Sequence, residues 1–237
     1  MSEIVMFKEV RLPKQICVLC GEREATKKGD HLPPKNLYPR PRKPNVELHK
    51  VPACSVCNNP ASKHDEEFKI IIGFTTGEFR ENQDAIINSI GKTIGVNKRI
   101  ARQIFSTHKK TYADRGSGIA EPVVQVEFNF ENYSNVVSRM VRGLYWRETH
   151  SIMAKDTTIS VWPTIGMKKD IASNLQELMS YLEPRKLNDG TFIYKVFFGK
   201  NGLSVWGMQF FGKHTVFAYT EPNEHNKKMQ PTAESAG

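Results

Sequence analysis

Three features of this chain of 237 residues predict an α+β protein. Two Cys-x-x-Cys pairs lie in a Pro- and Lys/Arg-rich stretch within the first 70 residues. Segments with the apolar spacing of helices follow, and the last third of the chain ends in strands joined by Gly-containing turns. We therefore expect a small metal-stapled module, then helices, then an α+β domain with antiparallel strands.

The four cysteines form two identical pairs, Cys17 with Cys20 and Cys54 with Cys57, and 33 residues separate the pairs. Each knuckle points two sulfurs inward, so two knuckles complete a tetrahedral structural zinc site. A unit of about 70 residues has little apolar bulk for a core, and a metal staple compensates for that shortage. The intervening residues leave room for a β-hairpin that carries the adjacent pair Asp30-His31.

The remaining elements follow from periodicity and turn signals. The predicted elements are a helix from residues 58–60 through 70, a helical stretch over 83–113 broken at Gly91–Gly95, strands over 123–130 and 157–162, helices over 132–149 and 169–182, and strands over 192–198, 203–211 and 215–219. These patterns divide the chain into a metal-binding module over 1–70, a basic helical connector over 71–120, an α+β domain of unknown role over 121–220 and a flexible tail over 221–237.

Two helical stretches have two-sided patterns. In the helix over 132–149, the apolar side carries Val136, Met140, Val141 and Leu144. The arginines and aromatic residues of 139–147 could contact bases or phosphates, but a core role for Tyr145 and Trp146 is the favoured interpretation. Near the end of 83–113, one predicted face is apolar, with Ala101, Ile104, Phe105, His108 and Tyr112. The other face carries Arg99, Arg102, Ser106, Lys109 and Lys110. That face could track phosphates, but a merely solvated helix face is the favoured interpretation.

The charge is uneven along the chain. The formal net charge is +9, and residues 1–120 hold 21 Lys and Arg against 13 Asp and Glu, whereas residues 121–237 hold 13 against 12. A positive excess around the cysteines favours a polyanionic partner such as nucleic acid. Residues 1–9 lack the features of a signal peptide and no apolar run reaches membrane-spanning length, so we expect no membrane partner. Thiolates reserved for metal are typical of a reducing compartment, which predicts a cytoplasmic protein.

Four segments share an order typical of one nuclease family. They are CVLCG at 17–21, GDHLPPKN at 29–36, VPACSVCNN at 51–59 and SKHDEEF at 62–68. The stretch from residue 16 to 69 thereby resembles the zinc-stabilised HNH endonucleases, whose catalytic module is the ββα-metal fold. The resemblance covers the first third of the chain.

The resemblance implies a role for each motif residue. Asp30 and Asn58 would bind a catalytic Mg²⁺ or Mn²⁺, and His31 would be the general base, because imidazole ionises near neutral pH. The closing ligand is His64 or Asp65, with His64 preferred by residue type, and Glu47 or His49 stands where the family's middle Asn is expected. Phosphates flanking the cleavage site would meet Lys35, Arg40, Arg42, Lys43 and Lys63.

Three functional interpretations are open at this point. The first is an HNH endonuclease that hydrolyses phosphodiester bonds, with DNA favoured over RNA. The second is a zinc-stapled nucleic-acid-binding protein that does not cut. The third is that residues 121–220 bind a protein partner or a small signal and that the nuclease module acts as their effector.

Overall fold

The computed structural model describes residues 15–38, 48–59, 61–76, 83–114, 118–165 and 167–223. The sequence-based assignments on Arg40, Arg42, Lys43 and Glu47, and on the tail beyond residue 223, lie outside the described residues. The helices are α1 Ser55–Asn58, α2 Ala61–Thr76, α3 Gln83–Val96, α4 Lys98–Thr107, α5 Phe130–Thr149 and α6 Lys169–Ser180. The strands are β1 Asp30–His31, β2 Lys50–Val51, β3 Lys109–Asp114, β4 Ala120–Gln125, β5 Thr158–Pro163, β6 Arg185–Leu187, β7 Phe192–Phe198, β8 Ser204–Phe210 and β9 His214–Glu221.

The described strands form three antiparallel sheets, which confirms the predicted α+β class. β1 pairs with β2 as the expected hairpin, and β3 pairs with β4 in a second two-stranded sheet. The third sheet has the order β5-β9-β8-β7-β6. Every pairing in it is antiparallel. Short turns connect β6 to β7, β7 to β8 and β8 to β9, whereas β5 pairs with β9 from a distant part of the chain.

One core joins the cysteine-containing part of the chain to the large sheet. α2 and α5 pack against each other and against β9. The ring of Phe68 on α2 is fully buried, with its centroid 5.2 Å from that of Tyr133 on α5 and 5.4 Å from that of Phe210 on β8. The predicted apolar side of α5 is confirmed, since Val136, Met140, Val141 and Leu144 are all buried. Tyr145 and Trp146 are partly buried and pack against the same core.

The prediction for residues 83–113 is wrong in two respects. α3 continues through Gly91 and Gly95, and the break falls at Asn97, whose side-chain oxygen caps α4 by accepting from the Ile100 amide at 3.2 Å. Residues 109–114 form a strand instead of helix, because they pair along their whole length with β4.

The predicted sides of α4 are confirmed in part, since Ile104 is buried and Arg99, Arg102 and Ser106 are exposed. Ile100 and Ile104 are its buried residues, whereas the ring of Phe105 is 68% exposed. The neighbouring elements therefore bury the side of α4 that carries Ile100 and Ile104. Periodicity had placed Phe105 on the buried side as well.

Candidate active site

The four cysteine sulfurs come together, as the spacing predicted. Their Sγ atoms all lie within 4.8 Å of one another. A tetrahedron of thiolates about 2.3 Å from zinc has sulfur–sulfur edges of about 3.8 Å, so a zinc ion fits this cluster with small adjustments. Soft thiolate donors and a closed set of four are typical of structural zinc. The cluster is therefore compatible with structural zinc and holds no open coordination position for catalysis.

Backbone geometry shapes both knuckles. In the first, the Gly21 amide donates to the Cys17 carbonyl at 2.8 Å, and Gly21 has a φ of +70° that favours glycine. In the second, Cys54 immediately precedes α1, and the Asn58 amide donates to its carbonyl at 3.1 Å. Burial opposes ionisation of the Cys20 thiol, but hydrogen bonds from the Glu22 and Arg23 backbone outweigh it and lower its pKa to about 7.

An open cleft of about 460 Å³ lies beside the thiolate cluster, at the junction of the hairpin with α1, α2 and α3. Of the residues predicted to carry the chemistry, Asp30, His31, Asn58 and Lys35 line it. Asp30 and His31 are the two residues of β1, so the pairing of β1 with β2 fixes their backbone. Asn58 ends α1 and is tied to the hairpin, because its side-chain amide donates to the Gly29 carbonyl at 2.8 Å. The local fold thus brings these side chains to one surface.

His64 and Asp65 separate on α2. Among the described residues, the cleft lining includes Asp65 and not His64. The Asp65 side chain is 15% exposed and lies close enough to Asp30 for one arginine to contact both carboxylates. Lys63, also predicted to hold a phosphate, is exposed on α2 outside the lining. His49 contributes its backbone, with its amide 3.3 Å from the Asn188 side-chain oxygen and its carbonyl accepting from Leu32 at 2.9 Å.

Arg139 lies at this site as a partner of two carboxylates, which the sequence did not predict. It projects from α5, 109 positions after Asp30, and its Nη1 donates to Asp30 Oδ2 at 3.1 Å. Its Nη2 donates to Asp65 Oδ1. Its side chain is 18% exposed, so this is a largely buried ion triad of one cation and two carboxylates. No local signal indicated its pairing with Asp30 and Asp65, because the segment around it mixes arginines with aromatic and apolar residues as many amphipathic helices do.

Close packing of α5 on the β1–β2 hairpin places the Arg139 guanidinium beside Asp30. Gly143 lies one turn further on the same face of α5, and a side chain there would meet Leu32 at 3.3 Å and Val51 at 3.4 Å. The absence of a Cβ therefore lets the helix approach the hairpin closely. This close approach brings the guanidinium at the preceding turn over the Asp30 carboxylate.

Burial dominates the electrostatics of the two carboxyls. Burial raises the pKa of Asp30, while the charge of Arg139 and the His31 amide, 2.8 Å from Oδ1, oppose that rise. Burial likewise raises the pKa of Asp65, to about 6, with Arg139 opposing the rise and the neighbouring Asp30 adding to it. Both carboxyls are thus more readily protonated than ordinary aspartates, and a nearby cation favours their ionised forms.

Polar side chains of α2 and α3 complete the opposite wall of the cleft. Lys69 Nζ donates to the Ser89 carbonyl at 3.0 Å and to Thr93 Oγ1 at 2.8 Å. Burial lowers the pKa of Lys69, although the charge of Glu66 opposes that fall. Glu66 in turn accepts from the Asn97 side chain at 2.6 Å. This wall therefore carries one cation and one carboxylate in fixed positions.

Comparisons with protein-family models, curated proteins and solved structures found no match for this chain. None of the described helices is both long and apolar enough to cross a membrane.

Proposed function

We propose that this protein is an HNH-type endonuclease that hydrolyses phosphodiester bonds of nucleic acid, with DNA favoured, using a divalent metal and a histidine general base. The observation that carries the proposal is the convergence of Asp30, His31 and Asn58 on one open cleft next to the four-thiolate cluster. The cleft volume of about 460 Å³ accommodates a phosphodiester with its flanking sugars. Lys35 and Lys69 in its lining add positive charge for a phosphate.

The donor set fits a hard cation. Asp30, Asn58 and a residue of α2 would hold Mg²⁺ or Mn²⁺ through oxygen ligands, and the lining of the cleft favours Asp65 over His64 as that third ligand. The metal would polarise the scissile phosphate and stabilise the departing 3′-oxygen. His31 takes the proton from the attacking water, since neutral imidazole is a suitable base near neutral pH. Cys17, Cys20, Cys54 and Cys57 would hold structural zinc, which would keep the hairpin and α1 in register.

Plasmid cleavage in the presence of Mg²⁺ or Mn²⁺ tests this proposal. We expect wild type to nick or linearise the plasmid and His31→Ala to lose cleavage while keeping its zinc content, circular dichroism spectrum and DNA binding. Equal activity of the two proteins, or no activity in either, would overturn the assignment.

The adjacent residues on α2 provide a matched pair for the third ligand. Asp65→Asn should weaken Mn²⁺ binding in a titration and abolish cleavage, whereas His64→Ala should retain both. The opposite pattern would return the ligand to His64.

A second candidate is a zinc-stapled nucleic-acid-binding protein that does not cut. The ion triad favours it, because Arg139 already neutralises part of the charge of the two carboxylates. The Asn58 amide nitrogen is also engaged with the Gly29 carbonyl. Under this candidate, wild type binds DNA but Mn²⁺ titration produces neither binding heat nor cleavage.

A further inference from the structure

Two exposed faces adjoin each other along the chain, on α4 and on the β3–β4 hairpin. On α4, Lys98, Arg102 and Phe105 are spaced four and three residues apart and share one exposed face. On β3, Lys110 and Tyr112 alternate with their neighbours and therefore share one face of the hairpin. A single residue, His108, separates α4 from β3. We name the five exposed residues Lys98, Arg102, Phe105, Lys110 and Tyr112 the basic arm.

The cations of the basic arm have no acidic partners within the described part of the chain. Lys98, Arg102 and Lys110 form no ion pair there, in contrast to the neighbouring Arg99 and Lys109. Arg99 lies 3.6 Å from the Glu67 carboxylate, and Lys109 lies 3.6 Å from Glu127. The basic arm is therefore a local positive surface whose three cations form no direct ion pair with the described residues.

No other described part of the chain covers the β3–β4 hairpin. Among its described residues with an assigned exposure, Val123 alone is partly buried and the others are exposed. Tyr112 is 73% exposed, and Phe105 at the adjoining end of α4 is 68% exposed. A two-stranded hairpin with both faces in water is only marginally stable by itself, which favours a partner in the functional state.

The root of the hairpin is nevertheless held firmly. Gln103 on α4 donates both to the Glu127 carbonyl at 3.1 Å and to the buried Glu67 carboxylate at 3.2 Å. The Glu127 amide donates to Thr107 Oγ1 at 3.2 Å. Glu67 also accepts from the Asn129 amide at 3.0 Å, at the start of α5. The hydrogen bonds of Gln103, Thr107 and Glu67 thus fix the direction of the hairpin relative to α2 and α5.

We propose that the basic arm binds nucleic acid, its three cations contacting backbone phosphates and its two aromatic rings stacking on bases. Exposed lysines and arginines with interleaved aromatic rings are the side chains that bind nucleic-acid strands. The rings of Phe105 and Tyr112 favour nucleic acid over other polyanions, because those have no flat base on which a ring can stack. The inference rests on the proposed function for its ligand class but does not depend on cleavage.

The position of the basic arm relates it to the cleft. Asn97, which precedes Lys98, donates to Glu66 in the cleft wall at 2.6 Å, and Thr93 on α3 is itself a lining residue. The start of α4 therefore adjoins the cleft wall, and a nucleic-acid strand running from the cleft along α4 would reach the basic arm. The basic arm thereby adds contacts beyond the scissile bond.

The test measures binding of the full chain to a fluorescent 30-nucleotide DNA, single-stranded and as duplex, without added divalent cation so that no cleavage occurs. The charge variant is Arg102→Ala/Lys110→Ala. The matched control is Lys168→Ala/Lys169→Ala, which removes the same charge from exposed positions at the start of α6. Each phosphate contact contributes about 0.9 to the slope of log affinity against log salt on duplex DNA.

We expect the charge variant to reduce the steepness of that slope by about 1.8 on duplex DNA. Its affinity deficit should then shrink by about tenfold between 50 and 200 mM salt, and the α6 control should follow wild type. Phe105→Ala/Tyr112→Ala should weaken single-strand binding by about fivefold or more with little change in slope.

Three results would overturn the proposal that the basic arm binds nucleic acid. They are an unchanged slope in the charge variant, an equal loss in the α6 control, or unchanged single-strand affinity in the aromatic variant. A concentration-dependent dimer that the charge variant dissociates would instead assign these faces to a second copy of the chain. If wild type binds no DNA at low salt, the proposed function fails as well, whereas binding with an unaltered slope removes the basic arm alone.

Discussion

Replacing Arg139 by methionine removes the guanidinium that lies between two largely buried carboxylates. The Asp30 and Asp65 side chains are 12% and 15% exposed, so water cannot replace the lost donors fully. Removing one partner of a buried ion pair typically costs about 3–5 kcal/mol, because the remaining charge stays desolvated. Methionine keeps the length and apolar volume of the arginine stem, which limits the additional effect of a cavity.

The raised pKa of Asp65 limits how much this residue contributes to the loss of stability in Arg139→Met. The pKa of Asp65 is raised from 3.8 to about 6, which already corresponds to about 3 kcal/mol of unfavourable ionisation relative to the unfolded chain. Without Arg139 the carboxyl takes up a proton, and the cost of that uptake at pH 7 is about 4 kcal/mol. Asp65 thus supplies only about 1 kcal/mol of the new loss, and the remainder comes from Asp30 and the missing hydrogen bonds.

The pH dependence has a definite sign. Both carboxyls have folded-state pKa values above their unfolded values, so the folded state binds protons more tightly within that window and stability declines as pH rises through it. At pH 5 the cost of protonating a carboxyl is only about 2 kcal/mol, and Asp65 of wild type is itself largely protonated there. The deficit of Arg139→Met should therefore fall from about 4 kcal/mol at pH 7 to less than half of that at pH 5.

Urea unfolding monitored by tryptophan fluorescence measures this deficit, without added divalent cation. Lys155→Met is the control, because it breaks an ion pair with Glu22 whose partners are 70% and 47% exposed, and its unfolding midpoint should remain near wild type. Asp65→Asn in the Arg139→Met background should restore part of the stability at pH 7, because an amide avoids the cost of proton uptake by the carboxyl. A loss below about 1 kcal/mol at pH 7, or an equal loss at both pH values, would refute a tightly coupled buried triad.

Three further outcomes are expected. Gly73→Ala on α2 should destabilise the protein, because the new Cβ would lie 1.8 Å from the Ile90 side chain. A Cβ at Gly91 on α3 would meet nothing within 4 Å, so Gly91→Ala should raise the free energy of unfolding by up to about 1 kcal/mol through helix propensity. Equal effects of the two substitutions in urea unfolding would contradict this α2–α3 packing. Burial lowers the pKa of His214 to about 4, so its contribution to stability is complete above about pH 6.5 and declines by about 3 kcal/mol as pH falls to 4; the pH profile of His214→Gln should lack this decline. Cys57→Ser should lower the zinc content measured by native mass spectrometry from a single ion per chain, and unchanged zinc would place the metal elsewhere.

The hydrogen bonds of His214 show how a buried polar group becomes neutral and oriented. Thr75 Oγ1 accepts from His214 Nδ1 at 2.9 Å, because its own proton goes to the Ile71 and Ile72 carbonyls at 3.0 and 2.9 Å. Nε2 then accepts from the Tyr133 hydroxyl at 2.7 Å. Both ring nitrogens are therefore satisfied without a charge, which agrees with the direction of the pKa shift.

Local sequence determined those features whose physics is local. The Cys-x-x-Cys spacing places two sulfurs on one knuckle, and the apolar periodicity of residues 132–149 matches the buried side of α5. Strand β7 has the predicted bounds, and the neighbouring strands differ by only a few residues because Gly-containing turns mark their ends. In each case the deciding contacts lie within a few residues of one another.

Tertiary structure decided the rest, because those contacts join distant residues. Residues 109–114 become a strand through pairing with 120–125, against a helical periodicity that local spacing alone favoured. His64 and Asp65 differ by one step, which is about 100° around a helix, so only the packing of α2 determines which one meets the cleft. Arg139 reaches Asp30 because α5 packs tightly on the hairpin at Gly143, and no pattern of neighbouring residues records a contact across 109 positions.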